Sequence, residues 1–202
     1  MPSIYALKPQ FQNLLRPIAR LLAAAGIRAN HVTVFAAAAS IAFSLFLILG
    51  PDSHVRFLAM PAFLFVRMAL NAIDGMLARE FHQKSILGVY LNELGDVVSD
   101  AFLYLPFAFL PQFDVLWIFA FLVLAVISEM TGVVAVMAGA SRRYDGPMGK
   151  SDRALAFGAL SFWLGMQWPF STTAAWWFPR LVTLLTALTI VNRVRKGLEE
   201  TR

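Results

Sequence analysis

The chain has 202 residues, of which 59% are hydrophobic and only 14% are charged, and its mean hydropathy is +0.67. This composition excludes a soluble globular domain and indicates an integral membrane protein of the all-α class. The formal net charge of +5 would suit nucleic acid, but in a membrane protein it more often reports orientation and anionic headgroups. We therefore expect membrane lipids, and no nucleic acid, as partners. Because the chain contains no cysteine, it forms neither disulfides nor thiolate metal sites.

The N-terminal segment, residues 3–24, has an amphipathic pattern. Leucine, isoleucine and phenylalanine recur at helical spacing, while Lys8, Arg16 and Arg20 lie on the other side of the helix. This pattern predicts a helix in the membrane interface, bent near Pro9 and Pro17. A soluble helix that packs on a partner is the alternative.

Six apolar stretches follow the N-terminal segment. They cover residues 32–50, 56–79, 86–110, 114–140, 153–170 and 174–192. Each is near or above the length that crosses a hydrocarbon core of roughly 30 Å. The last two are poorly separated, because Pro169 and Pro179 frame a polar stretch that would also fit a turn. Without a composition shift or a repeat, we predict one domain over residues 1–202, with an interfacial helix at 3–24 and a bundle of six transmembrane helices at 32–192.

Lysine and arginine are distributed unevenly along the chain. If both termini are cytosolic, fourteen of the seventeen basic residues lie on the cytosolic side, Arg56 and Arg180 lie on the other, and Arg67 lies within a span. This bias is typical of cytosolic loops. We therefore predict a multi-pass protein of a bacterial-type inner membrane, with both termini and the polar residues at 74–96 on the cytosolic side.

Polar side chains interrupt two of the apolar stretches. On an α-helix they form two stripes, within arcs of roughly 60° and 100°. The first stripe contains Arg67, Asn71 and Asp74, and the second contains Asn92, Glu93, Asp96 and Asp100. A charge at mid-bilayer costs roughly 2.5 kcal/mol or more. The stripes therefore predict a bound partner that offsets this cost, most simply metal ions that hold phosphates.

The same region resembles the signature of the CDP-alcohol phosphatidyltransferase family, D-x2-D-G-x2-A-R-x8-G-x3-D-x3-D. Six fixed positions match it at the family's separations: Asp74, Gly75, Ala78, Arg79, Gly88 and Asp96. Two positions depart from it, because Asn71 and Asn92 stand where the family has aspartate. Six matches at fixed separations make this a specific resemblance.

The resemblance implies an enzyme of phospholipid biosynthesis, a transferase that moves a phosphatidyl group from CDP-diacylglycerol to a hydroxyl acceptor and releases CMP. It implies a homodimer and a requirement for Mg²⁺ or Mn²⁺, as two ions or one, which would neutralise the diphosphate. It implies Asp96 as the catalytic base and metal ligands at Asn71, Asp74, Asn92 and Asp96. It also implies CDP contacts at Asp74, Gly75, Ala78, Arg79 and Gly88.

The two asparagines remove two formal negative charges from the matched set. Glu93 and Asp100 lie within roughly 20° of each other on the helix and flank Asp96. We expect them to act as additional metal ligands that restore the charge. A single tight ion, or a site that binds without turnover, is the alternative. Arg67 lies in arc between Asn71 and Asp74, where it would serve as a built-in counterion of a weakened metal site.

Two further features bear on the acceptor. Glu129 is an intramembrane carboxylate, a type of residue that is usually functional, and it matches the Glu of an Arg-Glu pair found in some family members, with Ser128 in place of the Arg. The loop at 142–153 is basic, and its Gly-Lys step resembles the family's loop before the fifth span. Acceptor or phosphate binding is therefore predicted for Lys150, Arg142, Arg143 and Glu129. A structural hydrogen bond for Glu129 and ordinary cytosolic charge for the loop are the alternatives.

Two other classes of function remain open from the sequence. A non-catalytic membrane protein that binds CDP-lipids would keep the fold after losing two metal ligands. An ion transporter would explain intramembrane carboxylates, but not Gly75, Ala78, Arg79 and Gly88 at the family's spacing. Metal-dependent release of CMP from CDP-diacylglycerol separates the enzyme from the binding protein. The sequence does not identify the acceptor.

Overall fold

The computed structural model of the chain describes residues 8–50 and 54–202. Within these residues it contains seven α-helices, two short 3-10 helices and no β-strand. The α-helices are α1 (Lys8–Ala24), α2 (Ala29–Leu49), α3 (Ala59–Glu80), α4 (Ile86–Tyr104), α5 (Val115–Met137), α6 (Lys150–Gly165) and α7 (Thr172–Glu200), and the 3-10 helices are His54–Leu58 and Leu105–Phe109. The predicted all-α class is confirmed.

Four helical segments of the described chain are long and apolar enough to cross a membrane: Ala29–Leu49, His54–Glu80, Val115–Met137 and Thr172–Glu200. The protein is therefore an integral membrane protein. The other two predicted spans are also helical, but α4 carries three carboxylates among its 19 residues. The 16 residues of α6 extend only about 24 Å, less than the roughly 30 Å of a hydrocarbon core. Six spans therefore remain a prediction.

The boundary between the last two helices lies at residues 166–171, and Pro179 does not contribute to a turn. It lies inside α7. Proline removes one backbone donor from a helix, but neighbouring side chains can bond the carbonyls around it. Arg180 donates to the Trp176 carbonyl at 2.7 Å, and Thr183 donates to the Pro179 carbonyl at 2.6 Å. The expectation of a turn bounded by Pro179 is therefore wrong.

The chain divides into two compact units: unit 1 is Met1–Ala42 with Ala62–Asp100, and unit 2 is Phe43–Pro61 with Ala101–Arg202. The prediction of one domain over residues 1–202 stays a prediction.

In unit 1, α1 packs against α2 and α3. The buried apolar residues of this contact are Leu15, Ala19, Ala29, Val32, Ile73, Met76 and Leu77. At the edge of the contact, Arg16 binds both carboxylate oxygens of Glu80, at 3.0 and 3.1 Å. The other side of α1 exposes Leu14, Ile18 and Leu21. A helix with one apolar side on the protein and a second apolar stripe exposed suits a lipid surface, and the interfacial position of α1 remains a prediction.

In unit 2, aromatic side chains pack around Phe157 of α6. Its ring centre lies 4.5 Å from that of Tyr104, 4.9 Å from those of Phe107 and Phe121, and 5.3 Å from that of Phe178. Phe157 has no exposed surface. Because aromatic pairs of this geometry add to the energy of burial, they hold the short α6 against α5, α7 and the end of α4.

The basic segment, residues 138–149, connects α5 to α6 and is bonded along its length. The Arg143 N–H donates to the Gly132 carbonyl of α5 at 3.2 Å. The Met148 N–H donates to Thr189 Oγ1 of α7 at 2.9 Å, and the Ser141 N–H donates to Glu200 Oε1 at 2.9 Å. This segment is therefore fixed against two helices rather than extended into solvent.

Gly146 permits the closest approach of the basic segment to α7. Its φ is +123°, and an added Cβ would lie 2.6 Å from Thr189 Cγ2 and 2.7 Å from Thr189 Cα. We expect Gly146→Ala to destabilise the protein by about 2–4 kcal/mol, because backbone strain and overpacking add. Gly139 is the matched control, since its φ is +88° but nothing lies within 4 Å of its added Cβ. Thermal unfolding should show a clearly smaller loss for Gly139→Ala, and equal losses would contradict the contact with Thr189.

Candidate active site

The two polar stripes of α3 and α4 meet within unit 1. Asn71 donates its side-chain N–H to Asp96 Oδ1 at 2.9 Å. Arg67 approaches the same Oδ1 at 3.5 Å and donates to the Asp96 carbonyl at 3.2 Å. Arg67 Nη1 also lies 2.9 Å from Asp100 Oδ1. We call the two stripes together, Arg67, Asn71, Asp74, Asn92, Glu93, Asp96 and Asp100, the acidic site.

Asp74 is the buried carboxylate on α3, with 5% of its surface exposed. The Thr33 hydroxyl of α2 is within hydrogen-bond distance of two acceptors, Asp74 Oδ2 at 2.9 Å and the Ala29 carbonyl at 3.1 Å, and donates its single proton to one of them at a time. The hydroxyl thus orients Asp74 from a third helix. Sequence reasoning missed Thr33, because a single threonine near the start of an apolar helix carries no signal of its distant partner.

The remaining carboxylates and amides of α4 differ in burial. Asn92 and Glu93 are half-buried, whereas Asp100 is 4% exposed and faces the 5% exposed Arg67. The structure brings Asp100 to the arginine that the sequence marked as a counterion. Whether Glu93 and Asp100 bind metal stays a prediction.

The small residues of the motif leave room for polar side chains of the chain itself. An added Cβ at Gly75 would lie 3.0 Å from Arg79 Nη2, so the guanidinium folds back over Gly75. An added Cβ at Gly88 would lie 2.8 Å from Asn30 Oδ1, and the Gly88 N–H donates to Ser85 Oγ at 2.9 Å. Ala78 is half-buried and packs against the core of unit 1.

A polar cavity of about 440 Å³ lies beside Gly88, between the α1–α2 and α3–α4 connections. Its lining residues are Gly26, Arg28, Asn30, Gln83, Lys84 and Ser85. Gln83 Oε1 accepts from the Ala29 N–H at 2.8 Å, and Asn30 donates to Ser85 Oγ at 3.3 Å. With two basic side chains and several amide and hydroxyl groups, the cavity suits a polar anion. Sequence reasoning missed it, because two loops contribute its walls.

Glu129 lies in unit 2, where arginines from three parts of the chain converge on it. Arg153 Nη2 lies 2.8 Å from Glu129 Oε1, Arg193 Nη2 lies 3.4 Å from the same oxygen, and Arg142 Nη2 lies 3.9 Å from Oε2. We call these four residues the basic cluster. Three guanidinium groups and one carboxylate give it a formal charge of +2.

Two of the arginines in the basic cluster are inaccessible to solvent. Arg153 is 0% exposed and Arg193 is 2% exposed. Arg153 donates to Ser128 Oγ and to the Met148 carbonyl, both at 3.2 Å, and Arg193 donates to the Ser128 carbonyl. Ser128 thus binds the arginines that pair with Glu129, and by the resemblance it stands where some family members have arginine.

The structure separates the predicted acceptor residues into two groups. Glu129 and Arg142 lie in the basic cluster. Arg143 instead binds Asp145 Oδ2 at 2.8 Å and forms an ion pair with Glu200. Lys150 is the half-buried first residue of α6. Arg143 therefore anchors the basic segment, and acceptor binding by Lys150 stays a prediction.

Sequence reasoning overlooked Arg193 and attributed Arg153 to the loop alone. One signal for Arg193 was present. Thr183, Thr186 and Thr189 lie on the same side of α7 as Arg193 by helical spacing, and all four are buried. A polar stripe along an otherwise apolar helix marks the face that contacts other helices.

The side-chain oxygens of the acidic site are of the chemical type that coordinates a hard divalent ion. Within the described residues, no group of three or more His, Cys, Asp and Glu side chains is arranged to hold a metal. Carboxylate and amide oxygens are nevertheless the ligands that Mg²⁺ and Mn²⁺ prefer. Binding of an ion by Asp74 and Asp96 through carboxylate oxygens, and by Asn71 and Asn92 through amide oxygens, stays a prediction.

The basic cluster generates a prediction about stability. Glu129→Gln leaves two buried arginines without their carboxylate, so we expect a loss of about 3 kcal/mol and a clearly lower melting temperature. Glu80→Gln is the matched control, because it removes the same charge from the exposed pair with Arg16 and should leave the melting temperature nearly unchanged. Equal effects of the two substitutions would argue against Glu129 as the counterion of the buried arginines.

Comparison with known proteins identifies the family. Residues 27–191 match the CDP-alcohol phosphatidyltransferase family. The chain is 43% identical over 198 residues to the inner membrane protein YnbA of Escherichia coli K12. The aligned region covers 97% of this chain and 96% of YnbA. The fold resembles phosphatidylinositol phosphate synthase of Mycobacterium tuberculosis with CDP-DAG bound, with a TM-score of 0.75 and 20% identity over 90% of this chain and 92% of that one. The same synthase in complex with manganese and citrate gives a TM-score of 0.72 and 21% identity over 90% and 88%. The chain belongs to the CDP-alcohol phosphatidyltransferase family, a family of metal-dependent membrane enzymes.

Proposed function

We propose that the protein transfers a phosphatidyl group from CDP-diacylglycerol to a hydroxyl acceptor that carries negative charge, in the inner membrane of a bacterium. The observation that carries the transfer reaction is the hydrogen-bonded pair of Asn71 and Asp96 beside the buried Asp74, at positions of the family motif. The synthase solved with CDP-DAG bound supports this donor. The relative from the E. coli inner membrane supports the location.

Asp96 is the base in this proposal. It takes the proton of the acceptor hydroxyl, whose oxygen forms a bond to the phosphorus of the phosphatidyl group, and the bond from that phosphorus to CMP breaks. Asn71 and Arg67 hold the carboxylate from one side, which orients it for the hydroxyl. Bound Mg²⁺ or Mn²⁺, as one or two ions, would neutralise the diphosphate and stabilise the departing CMP.

The CDP part of the donor contacts the motif residues Asp74, Gly75, Ala78, Arg79 and Gly88 in this proposal. Arg79 lies over Gly75, where its guanidinium is suited to a phosphate oxygen. The polar cavity beside Gly88, with Arg28 and Lys84 in its lining, extends the surface that is available to a polar, anionic ligand. Both features favour a nucleotide diphosphate over a neutral headgroup.

The basic cluster supports an anionic acceptor. Its formal charge of +2 is unfavourable in a buried place unless an anion completes it. We assign Arg142, whose side chain is 25% exposed, to binding of a phosphate or carboxylate on the acceptor, with Lys150 nearby in sequence. The buried Arg153 and Arg193 add positive charge behind it. Glu129 holds the arginines in place. The solved neighbours, which are phosphatidylinositol phosphate synthases, are consistent with a phosphorylated product.

We further propose the membrane arrangement that the sequence predicts. It has six spans, with α4 and α6 completing the four long apolar segments, and α1 in the interface. Both termini and the acidic site are cytosolic, as the lysine and arginine distribution favours. The chain functions as a single domain and, as the family resemblance implies, as a homodimer.

Release of CMP from CDP-diacylglycerol by the purified protein in lipid, with Mg²⁺ or Mn²⁺, tests the proposed reaction. We expect Asp74→Asn and Asp96→Asn each to lower the rate by about 10²–10⁴-fold, because each removes a charged group that acts in the transition state. Asp114→Asn is the control, since Asp114 pairs with Arg180 and asparagine caps a helix as well. Wild-type rates in both site variants would contradict the assignment. A wild-type protein that binds CDP-diacylglycerol but releases no CMP with any acceptor would favour the non-catalytic lipid-binding alternative.

The charge of the acceptor is tested separately. A charge-assisted hydrogen bond contributes roughly 1.5–3 kcal/mol, or about 10- to 150-fold in affinity. Arg142→Ala and Lys150→Ala should raise the KM for an anionic acceptor by about that factor and leave the KM for CDP-diacylglycerol nearly unchanged. Lys196→Ala is the control, because Lys196 pairs with Glu199 at the surface. The reverse pattern would assign these residues to the diphosphate of the donor.

A further inference from the structure

We propose that Arg67 is a resident cation of the acidic site and that, because of it, the site takes one divalent ion rather than two. This inference rests on the proposed metal-dependent transfer and specifies the charge balance of that site. The geometry that carries it is the bridge that Arg67 forms between two carboxylates of α4.

Arg67 differs from an ordinary surface counterion in its burial and in its two partners. Only 5% of the residue is exposed. One terminal nitrogen lies 2.9 Å from Asp100 Oδ1, and the other lies 3.5 Å from Asp96 Oδ1 and bonds the Asp96 carbonyl. A guanidinium group that contacts two acidic side chains in a buried place supplies the neutralisation that a cation would otherwise provide.

Asn71 fits the same arrangement. Its side-chain N–H donates to the Asp96 oxygen that also faces Arg67. An aspartate at this position has no such hydrogen and would place a second carboxylate against Asp96, which requires an additional cation. Arginine at 67 and asparagine at 71 therefore act in the same direction, since both lower the negative charge around Asp96.

The formal charges point to a single ion. Asp74, Asp96 and Asp100 contribute −3 and Arg67 contributes +1, which leaves −2. One Mg²⁺ or Mn²⁺ balances this charge. With aspartates at 71 and 92, as in the family signature, the same count would be −4, the balance of two divalent ions. Glu93 is half-buried, as Asp96 is; with Glu93 included the sum is −3, which one divalent ion brings to −1.

Metal binding without substrate tests the inference directly. Tag-free protein in lipid nanodiscs, with neither CDP-diacylglycerol nor acceptor, is titrated with Mn²⁺ while the EPR signal of free Mn²⁺ is recorded. We expect one Mn²⁺ per wild-type chain. Arg67→Gln makes the formal charge of the site more negative by one. It should bind the first ion with a dissociation constant lowered about tenfold or more, because a nearby positive charge is gone, and should take up a second ion more weakly. Arg67→Lys keeps the charge and should stay at one ion. Arg16→Gln removes an arginine from the exposed pair with Glu80 and should match the wild type.

Arg67→Gln leaves Asp100 buried without its guanidinium, so a second variant guards against misfolding. Arg67→Gln combined with Asp100→Asn removes both members of the pair and preserves the net charge. It should bind one Mn²⁺ within about threefold of the wild-type affinity, since its formal charge is the same. Loss of Mn²⁺ binding in this double variant would show that Asp100 is itself an ion ligand, and would overturn the pairing.

Binding of two Mn²⁺ ions per wild-type chain would overturn the inference, whatever the variants do. Identical titration curves for the wild type and a folded Arg67→Gln protein would also overturn it. The titration does not depend on turnover. A protein that releases no CMP but binds one Mn²⁺ would refute the proposed function and leave the charge balance standing. An active enzyme that binds two Mn²⁺ ions would support the proposed function and refute the charge balance.

Discussion

An ionised side chain loses the hydration of bulk water when it is buried, and this loss costs several kcal/mol unless an opposite charge replaces it. The constraint is stricter in membrane segments, because the hydrocarbon core of a bilayer offers no polar groups. Arg67 of α3 is paired with Asp100 of α4. Glu129 of α5 is paired with Arg153 of α6 and Arg193 of α7. Helix positions in both units follow from bringing these side chains together.

The two polar centres carry opposite net charge, and this difference assigns them different ligands. The acidic site is negative after its internal ion pairs are counted, so it attracts a cation. The basic cluster is positive by the same count, which favours the anionic acceptor of the proposed reaction. A transferase that joins a metal-bound diphosphate donor to a charged acceptor needs both kinds of centre.

Sequence periodicity predicted that the polar stripes of α3 and α4 face each other, because 3.6 residues per turn determines which side chains share a helix face. The contact between Asn71 and Asp96 follows from two stripes that had to face each other. The basic cluster was harder to predict, since Arg193 lies 64 residues from Glu129 and only the packing of α5 against α7 joins them. Arg142 and Arg143 look equivalent in the sequence. They differ in the structure because the last turn of α7 brings Glu200 to one of them and not to the other.

The attachment of the basic segment to α5 and α7 has a thermodynamic consequence. Its backbone is already hydrogen-bonded to Gly132, Thr189 and Glu200. An anion that bound beside Arg142 would therefore cause little further loss of backbone conformational entropy. Binding to a pre-ordered surface loses less conformational entropy than binding to a flexible loop. The affinity for an acceptor would then depend chiefly on how well its charged group fits the arginines. Related chains could change acceptor preference by replacing a few side chains on this rigid support, without redesign of the backbone.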